Sequence, residues 1–242
     1  MIKRLFDVCA SFVGLVAFSP ILLPTMVAIW LQDFGSPFYM APRMRRPGEK
    51  FRMYKLRSMV ANADKIGGTS TSGSDMRITW VGRFIRKCKL DEVSQLWNVF
   101  VGDMSLVGPR PQAERDASLY TDEENGLFAA RPGITDFSSI VFSDEGDILA
   151  GSDNPDLKYN QVIRPWKSRL GLFYIERRTF WIDFQLIILT LTAIVSRRAA
   201  LRGVQKLLRP LGADEKLIEI AGRESELLPY PPPGSDEVES RY

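Results

Sequence analysis

A chain of 242 residues, 45% hydrophobic and 25% charged, can hold one fair-sized core or a compact domain with attachments. It contains no histidine, which excludes Ser-His-Asp and Cys-His nucleophile systems and the usual His-ligated zinc sites, leaving carboxylates as the reactive or hard-metal groups. A net charge of +3 is too small to imply nucleic acid, and two cysteines, Cys9 and Cys88, make no disulfide framework, so a reducing compartment is the default.

Residues 8–31 carry no charged side chain over 24 positions, roughly 36 Å of straight helix and enough to cross a ~30 Å hydrocarbon layer. Pro20 and Pro24 fall inside this run, where proline removes a hydrogen bond and bends a helix. Lys3 and Arg4 precede it, and Arg43, Arg45 and Arg46 follow it. Cations mark the cytoplasmic side, so the flanks predict a helix that enters, turns at Ser19-Pro20 and leaves by the same face. An ordinary kinked span and a cleaved signal peptide are the competing readings, and the length of the apolar run weighs against the peptide.

Residues 38–60 hold seven Lys/Arg against one acid, Glu49. Apolar and basic residues alternate there around Pro47-Gly48, which predicts a β-hairpin presenting Arg52, Lys55 and Arg57 to a phosphate or to anionic lipid. Residues 61–76 are rich in Gly, Ser and Thr but lack Walker spacing, so a loop able to close over a ligand is expected rather than a P-loop. A short helix over residues 77–86 should follow.

The next stretch, RKCKLDEVSQLWNVF over residues 86–100, organises the rest. Leu90, Val93, Leu96, Trp97 and Phe100 recur at helical spacing and predict one buried face, with Asp91 and Glu92 in the first turn, where the helix dipole favours acids. Arg83, Arg86, Lys87 and Lys89 precede the two acids, and carboxylates among that many cations suit a metal ion and a phosphate, although a plain acidic helix start has the same pattern. Gly108-Pro109-Arg110-Pro111 then restrains Arg110 between two prolines, as bidentate capture of an anion requires, and Arg131-Pro132-Gly133 repeats the idea.

Residues 143–156 read as an acidic loop and residues 161–175 as a helix. Residues 180–195 are very apolar but include Asp183 and Gln185, and Arg197, Arg198, Arg202 and Lys206 follow. A helix lying in the membrane interface and a buried core helix both fit this pattern. From residue 228 the tail has the composition of disorder.

Taken together, Ser19-Pro20 in its apolar segment, YKLRSM at 54–59, LDEVSQLWNVF, GDMSLVGPRP and RPGIT resemble the bacterial sugar transferase family, the monotopic phosphoglycosyl transferases, in order and spacing. The resemblance implies an α+β fold, a mostly helical membrane-associated domain with a small β-hairpin and an N-terminal re-entrant membrane helix. It divides the chain into that helix at 1–36, a catalytic domain with interfacial helices at 37–205, and a C-terminal extension at 206–242. With no multi-span or fused segment, the chain resembles the small catalytic form. The activity implied is transfer of a sugar-1-phosphate from a UDP-sugar to polyprenol (undecaprenyl) phosphate at the cytoplasmic face of the bacterial inner membrane, initiating surface glycan assembly. By motif, Asp91 matches the covalent nucleophile and Glu92 its partner, the two holding Mg²⁺. Lys55, Arg57, Arg86, Arg110, Pro111 and Arg131 match substrate-binding positions. Membrane lipid is an implied partner, and a homodimer is open. Lys89 and Cys88 stand where hydroxyl residues are frequent in the family, Ser94 where proline is common, and Asp136-Phe137 where glycine and a large apolar residue are usual. A non-catalytic scaffold that binds anionic lipid through its basic hairpin is the alternative of another class, whereas nucleic acid is a poor partner for a chain with such an apolar segment.

Overall fold

The computed structural model describes residues 2–63 and 75–240. The Gly/Ser-rich part of the loop expected over a ligand, residues 64–74, lies outside the described residues. The fold is α+β and mostly helical, with two compact units, Met1–Leu106 and Val107–Tyr242.

In the first unit, α1 (Ile2–Asp33) is helical throughout, with Pro20 and Pro24 inside it. Local chemistry explains why helix continues through that position. Pro20 has no N–H to give the Val16 carbonyl, and the Ser19 hydroxyl donates to that oxygen instead, at 2.7 Å. Polar groups pin both ends of α1 within this unit. Near its start, Arg4 donates to the carbonyls of Val99 and Phe100 at 2.5 and 2.8 Å. The buried Asp7 carboxylate accepts from the Ser105 hydroxyl at 2.8 Å and the Leu106 N–H at 3.1 Å. Near its end, Arg57 donates to Asp33 at 2.5 Å and lies 3.5 Å from the Ile29 carbonyl. Between these anchors Phe12, Val13, Val16, Ile21, Leu23 and Val27 are exposed.

The hairpin is present as expected: β1 (Phe38–Arg46) pairs antiparallel with β2 (Glu49–Leu56), Phe38 opposite Leu56, around a turn in which Gly48 takes φ 77°. Thr79 caps α2 (Trp80–Lys87) by accepting from the Gly82 N–H at 2.9 Å. Leu22 and Ile29 of α1 meet Leu56, Val81, Ile85 and Leu90 in one core. The expected central helix is two pieces, α3 (Leu90–Val93) and α4 (Leu96–Val101). Between them Gln95 and Trp97 donate three residues back, to Glu92 and Ser94, which tightens the turn.

The buried face of that segment also differs from the expected one. Ser94, Gln95, Asn98 and Val99 are buried, while Trp97 is 45% exposed and forms an aromatic chain with Phe100 and Phe12. The polar side chains face inward because they complete a sheet edge. Leu56 N–H donates to Ser94 Oγ at 3.2 Å and Tyr54 N–H to Asn98 Oδ1 at 2.8 Å, while Asn98 Nδ2 donates to the Arg52 carbonyl at 2.8 Å. Residues 52, 54 and 56 share one edge of β2, and Ser94 and Asn98, four apart, share one helical face. Two side chains therefore stand in for a third strand.

The second unit begins as β3 (Ser105–Val107) ends and includes β4 (Gly133–Thr135). Its helices are α5 (Glu114–Ala117), α6 (Phe137–Val141), α7 (Glu145–Leu149), α8 (Pro155–Lys158), α9 (Arg164–Arg177), α10 (Phe180–Val195), α11 (Arg197–Leu208) and α12 (Glu215–Gly222). Its core gathers Phe137, Ile140, Leu170, Leu186, Val204 and Leu208. The acidic stretch read as a loop holds α7 and the start of α8, because Asn154 accepts from the Leu157 N–H and Pro155 suits a first helical position. Along α10 one face, with Ile182, Asp183 and Leu186, is buried, and the other, with Trp181, Ile188, Leu191 and Val195, is exposed. Asp183 is tolerated in this apolar run because it turns inward to accept from the Tyr174 hydroxyl at 2.6 Å.

The tail departs furthest from expectation. Instead of running free after residue 228, it lies on the second unit: Tyr230 stacks on Trp166 with ring centroids 4.5 Å apart, and its N–H donates to the Gln161 carbonyl at 2.9 Å. The aromatic and cationic partners that hold it come from α9 and α12, far away in sequence.

Candidate active site

Five of the candidate residues belong to the first unit. Asp91 and Glu92 occupy the single turn α3, both partly exposed. Lys89, immediately before them, takes φ 53°, a left-handed conformation that costs a side-chain-bearing residue about 1–2 kcal/mol and is held only where its surroundings impose it. Its ammonium lies 3.9 Å from the Glu92 carboxylate. Ser94 Oγ and Gln95 Nε2 donate to the Asp91 backbone carbonyl at 2.8 and 3.3 Å, so the turn is fixed from below while the side chain stays available.

Arg86 is brought to this turn. Burial pushes its guanidinium below the ordinary arginine value, and the Asp91 carboxylate is the first charge that opposes the shift. Its Nε donates to Ser58 Oγ at 3.2 Å, just past the end of β2. Lys55 is half-buried on β2, the strand that Ser94 and Asn98 dock onto the Asp91 segment. Arg57 is not brought to the dyad. Its guanidinium is committed to Asp33 and the end of α1, which makes it an anchor of that helix. The ends of the segment between 63 and 75 are tied by a fork: Arg77 donates to both Asp75 carboxylate oxygens and to the Ala63 carbonyl, and holds the Asp75 carboxyl below its usual value.

Arg110, Pro111 and Arg131 belong to the second unit, where the two Arg-Pro motifs interlock. Gly108 N–H donates to the Thr135 carbonyl and Gly133 N–H to the Pro109 carbonyl, both at 2.9 Å. A Cβ on Gly133 would lie 2.1 Å from the Gly108 nitrogen, so neither motif can close on the other with a side chain there. Arg110 is half-buried beside Pro111, and Arg131 is exposed.

Arg110 opens onto a narrow cleft with about 20 Å³ of enclosed water-sized space, lined also by Gln112, Tyr120, Tyr159, Arg164 and Lys167. Desolvation, followed by neighbouring charge, pushes the phenols of Tyr120 and Tyr159 well above their ordinary value, and at Tyr159 the Arg110 charge opposes the shift. Both phenols are therefore hydrogen-bond donors at neutral pH. Buried Arg164 donates to Glu124, to the Leu119 carbonyl and, at 3.4 Å, to Asn160, while Lys167 pairs with Glu145. Asp136 also lines the cleft, but its carboxylate is consumed locally, accepting from the Ser138 and Ser139 hydroxyls and from the Ser139 N–H. The wall residues Tyr159, Arg164 and Lys167 were not legible as site residues: in sequence they are an ordinary tyrosine and two cations of an amphipathic helix.

A magnesium ion suits the dyad. Magnesium takes oxygen ligands, keeps several waters and uses one or two carboxylates together with substrate phosphates. Among the described residues no group of three His, Cys, Asp or Glu could enclose a metal ion. Two adjacent, partly exposed carboxylates are the donor set such an open site uses.

A partly exposed carboxylate pair with an arginine at hand, in a chain with a helix long and apolar enough to cross a membrane, defines a class: a membrane-associated protein suited to anionic phosphate ligands. The bacterial sugar transferase family model matches residues 1–197, and the chain belongs to that family. A UDP-N-acetylgalactosamine-undecaprenyl-phosphate N-acetylgalactosaminephosphotransferase of Aeromonas hydrophila is 32% identical over 199 residues, covering 81% of this chain and 44% of that protein. An undecaprenyl-phosphate glucose phosphotransferase of Komagataeibacter xylinus is 35% identical over 205 residues, covering 82% and 36%. The uncharacterized sugar transferase EpsL of Bacillus subtilis is 33% identical over 196 residues, covering 81% and 88%. The chain thus spans less than half the length of the first two and most of the third.

Proposed function

We propose that this protein is a phosphoglycosyl transferase that moves a sugar-1-phosphate from a UDP-sugar to undecaprenyl phosphate in two displacements through Asp91. In the first, an Asp91 carboxylate oxygen attacks the phosphorus that bears the sugar. The anhydride bond to the second phosphorus breaks, and UMP leaves with that bonding pair. In the second, a phosphate oxygen of the polyprenol phosphate attacks the same phosphorus and the O–P bond of the Asp91 acyl phosphate breaks, restoring the carboxylate. Dividing one transfer between two bulky substrates in this way lets each reach the same group in turn.

The chain's own residues supply orientation and charge. Arg86, whose guanidinium feels the Asp91 charge, faces the transferred phosphoryl oxygens. Lys55 binds a donor phosphate, and Arg110 and Arg131 are assigned to anionic phosphate by their motifs, with Pro111 restraining Arg110. Asp91 and Glu92 hold Mg²⁺, which when bound neutralises diphosphate oxygens. The observation that carries the reading is a partly exposed Asp91 on a turn docked to the basic hairpin, near enough to Arg86 for its charge to act on that guanidinium. In this reading α1 is re-entrant and the protein sits on the cytoplasmic face of the inner membrane. Its support is that Arg4 and Asp7 at one end and Asp33 at the other all bond within one unit, with apolar side chains exposed between them. The exposed face of α10 and the cations after it suit the lipid interface.

The test is Asp91→Asn. The backbone bonds at that turn survive the change, so melting should move little, while UMP release from a panel of UDP-sugars and a phosphosugar adduct on the peptide containing residue 91 should both vanish. Transfer by the variant near the wild-type rate sinks the covalent assignment. Failure of the unmodified chain to release UMP from any UDP-sugar, with salt-sensitive vesicle binding, favours the lipid-binding scaffold instead.

A further inference from the structure

Residues 228–240 lie beyond the stretch matched by the family model, which ends at 197, and yet they are fastened along their length to the second unit. Arg169 donates to the Pro231 carbonyl at 2.9 Å, the Thr121 hydroxyl to the Pro233 carbonyl, and Gln161 Nε2 to the Glu239 carbonyl at 2.9 Å. The Tyr230 ring stacks on Trp166, and two cations contact both rings, Lys216 Nζ at 3.9 Å and the Arg169 guanidinium at 4.9 Å from the Tyr230 centroid. Gly234 takes φ 73°, and a Cβ there would stand 2.9 Å from Glu123 Cβ, so this part of the tail is shaped to the surface it crosses. Proline at 229 and 231–233 restricts the free chain and lowers the entropy lost on docking.

Apart from Lys216 on α12, the side chains that hold the tail lie within two residues of the wall of the Arg110 cleft. Thr121 follows Tyr120. Gln161, Arg164, Trp166 and Arg169 continue the helix that begins after Tyr159 and carries Lys167. At the centre, buried Arg164 lines the cleft, and its charge is balanced by Glu124 and by Glu239 of the tail, whose Oε2 is 3.7 Å away. A buried guanidinium keeps its place only while its carboxylates do.

We infer that the C-terminal strap is a positioning device for the cleft: Tyr230 seats it, and Glu239, acting through Arg164, holds the wall bearing Tyr120, Tyr159 and Lys167 in the arrangement that receives the anionic donor. This rests on the cleft being part of the donor site, so the experiment separates the two ideas. In the full-length protein, hydrogen exchange of amides 119–128 and 159–168 is compared for the unmodified chain, Tyr230→Ala, Glu239→Gln and Tyr230→Phe, together with KM and kcat from UMP release with whichever UDP-sugar is turned over. Tyr230→Ala and Glu239→Gln should each speed exchange in both segments roughly tenfold. They should also raise the donor KM roughly tenfold while kcat stays within about twofold. Tyr230→Phe, which keeps the stack, should match the unmodified chain in every readout. Unchanged exchange in the wall overturns the inference, as does faster exchange with an unchanged KM, which would make the strap a stabilising element alone. Should Tyr230→Ala fail to fold, Glu239→Gln decides by the same measures. If the unmodified chain turns over no UDP-sugar, the proposed function fails and the exchange comparison alone decides whether the strap holds the wall.

Discussion

Replacing Asn98 by alanine tests the claim that a helix side chain serves as the missing neighbour of β2. Asn98 is fully buried, and its amide satisfies two backbone groups, the Tyr54 N–H and the Arg52 carbonyl, each at 2.8 Å. Alanine leaves both without that partner. An orphaned buried polar group costs about 1–3 kcal/mol, and the Arg52 carbonyl, next to an exposed side chain, belongs at the lower end, so the sum is roughly 2–4 kcal/mol. For a domain of this size that lowers the melting temperature by roughly 5–15 °C. Lys55 immediately follows Tyr54 and Asp91 is on the partner segment, so transfer should fall in parallel. Asn98→Asp sharpens the test. It keeps an acceptor for Tyr54 but loses the donor to Arg52 and adds a second carboxylate where Asp103 Oδ2 lies 3.3 Å from the amide nitrogen. Its deficit should therefore shrink as pH falls and the new carboxyl takes up a proton, which restores a donor and removes a charge. Thermal melts of both variants across pH, in the detergent used for activity, give the measurement. A shift under about 1 °C for Asn98→Ala would refute the docking argument.

A re-entrant α1 has a topological consequence. With Cys9 replaced by serine, Lys3→Cys should react with a membrane-impermeant maleimide only from the side that labels Cys88, and labelling from the opposite side would mean a span. Tyr174 predicts an alkaline limit. Burial, then the Asp183 carboxylate that its hydroxyl bonds, raises its folded-state pKa far above the ordinary tyrosine value of about 10. The folded protein then keeps a proton that the unfolded chain releases. The contribution is complete below that value and is lost as pH rises above it, by up to about 1.4 kcal/mol per pH unit. Denaturation at about pH 9 and about pH 11 should show a steeper loss for the unmodified chain than for Tyr174→Phe, and equal slopes would contradict this coupling.

Much of the first unit was legible because its signals are local. Alternation around Pro47-Gly48 specifies a hairpin, since side chains in a strand alternate faces and that turn needs φ above zero at glycine. An uncharged run longer than a bilayer is thick announces α1. The same local rules misjudged the inward face of residues 90–100, because periodicity ranks residues by hydrophobicity, whereas Ser94 and Asn98 are buried for their hydrogen-bonding capacity toward a strand forty residues earlier. Arg57 shows a similar limit: its spacing from Lys55 marks a basic face of the hairpin, but the pairing of its guanidinium with Asp33 is a long-range contact the spacing does not reveal.

In the second unit the balance shifts toward long-range contacts. The Gly-Pro-Arg-Pro and Arg-Pro-Gly motifs are visible separately, but their interlocking depends on two backbones approaching more closely than any Cβ allows. Composition pointed to disorder for residues 228–240, because nothing in that stretch could bury itself. Trp166, Arg169 and Lys216 supply the burial from elsewhere.

Sequence alone was enough for the hairpin, the apolar helix, the adjacent Asp91 and Glu92 and the two Arg-Pro turns, all properties of a few neighbouring residues and their backbone preferences. Which arginine meets Asp91, which one is spent on α1, and whether a proline-rich tail hangs free or is strapped down were decided by the tertiary structure, because charge pairing and polar burial depend on distances between residues that the chain itself places far apart.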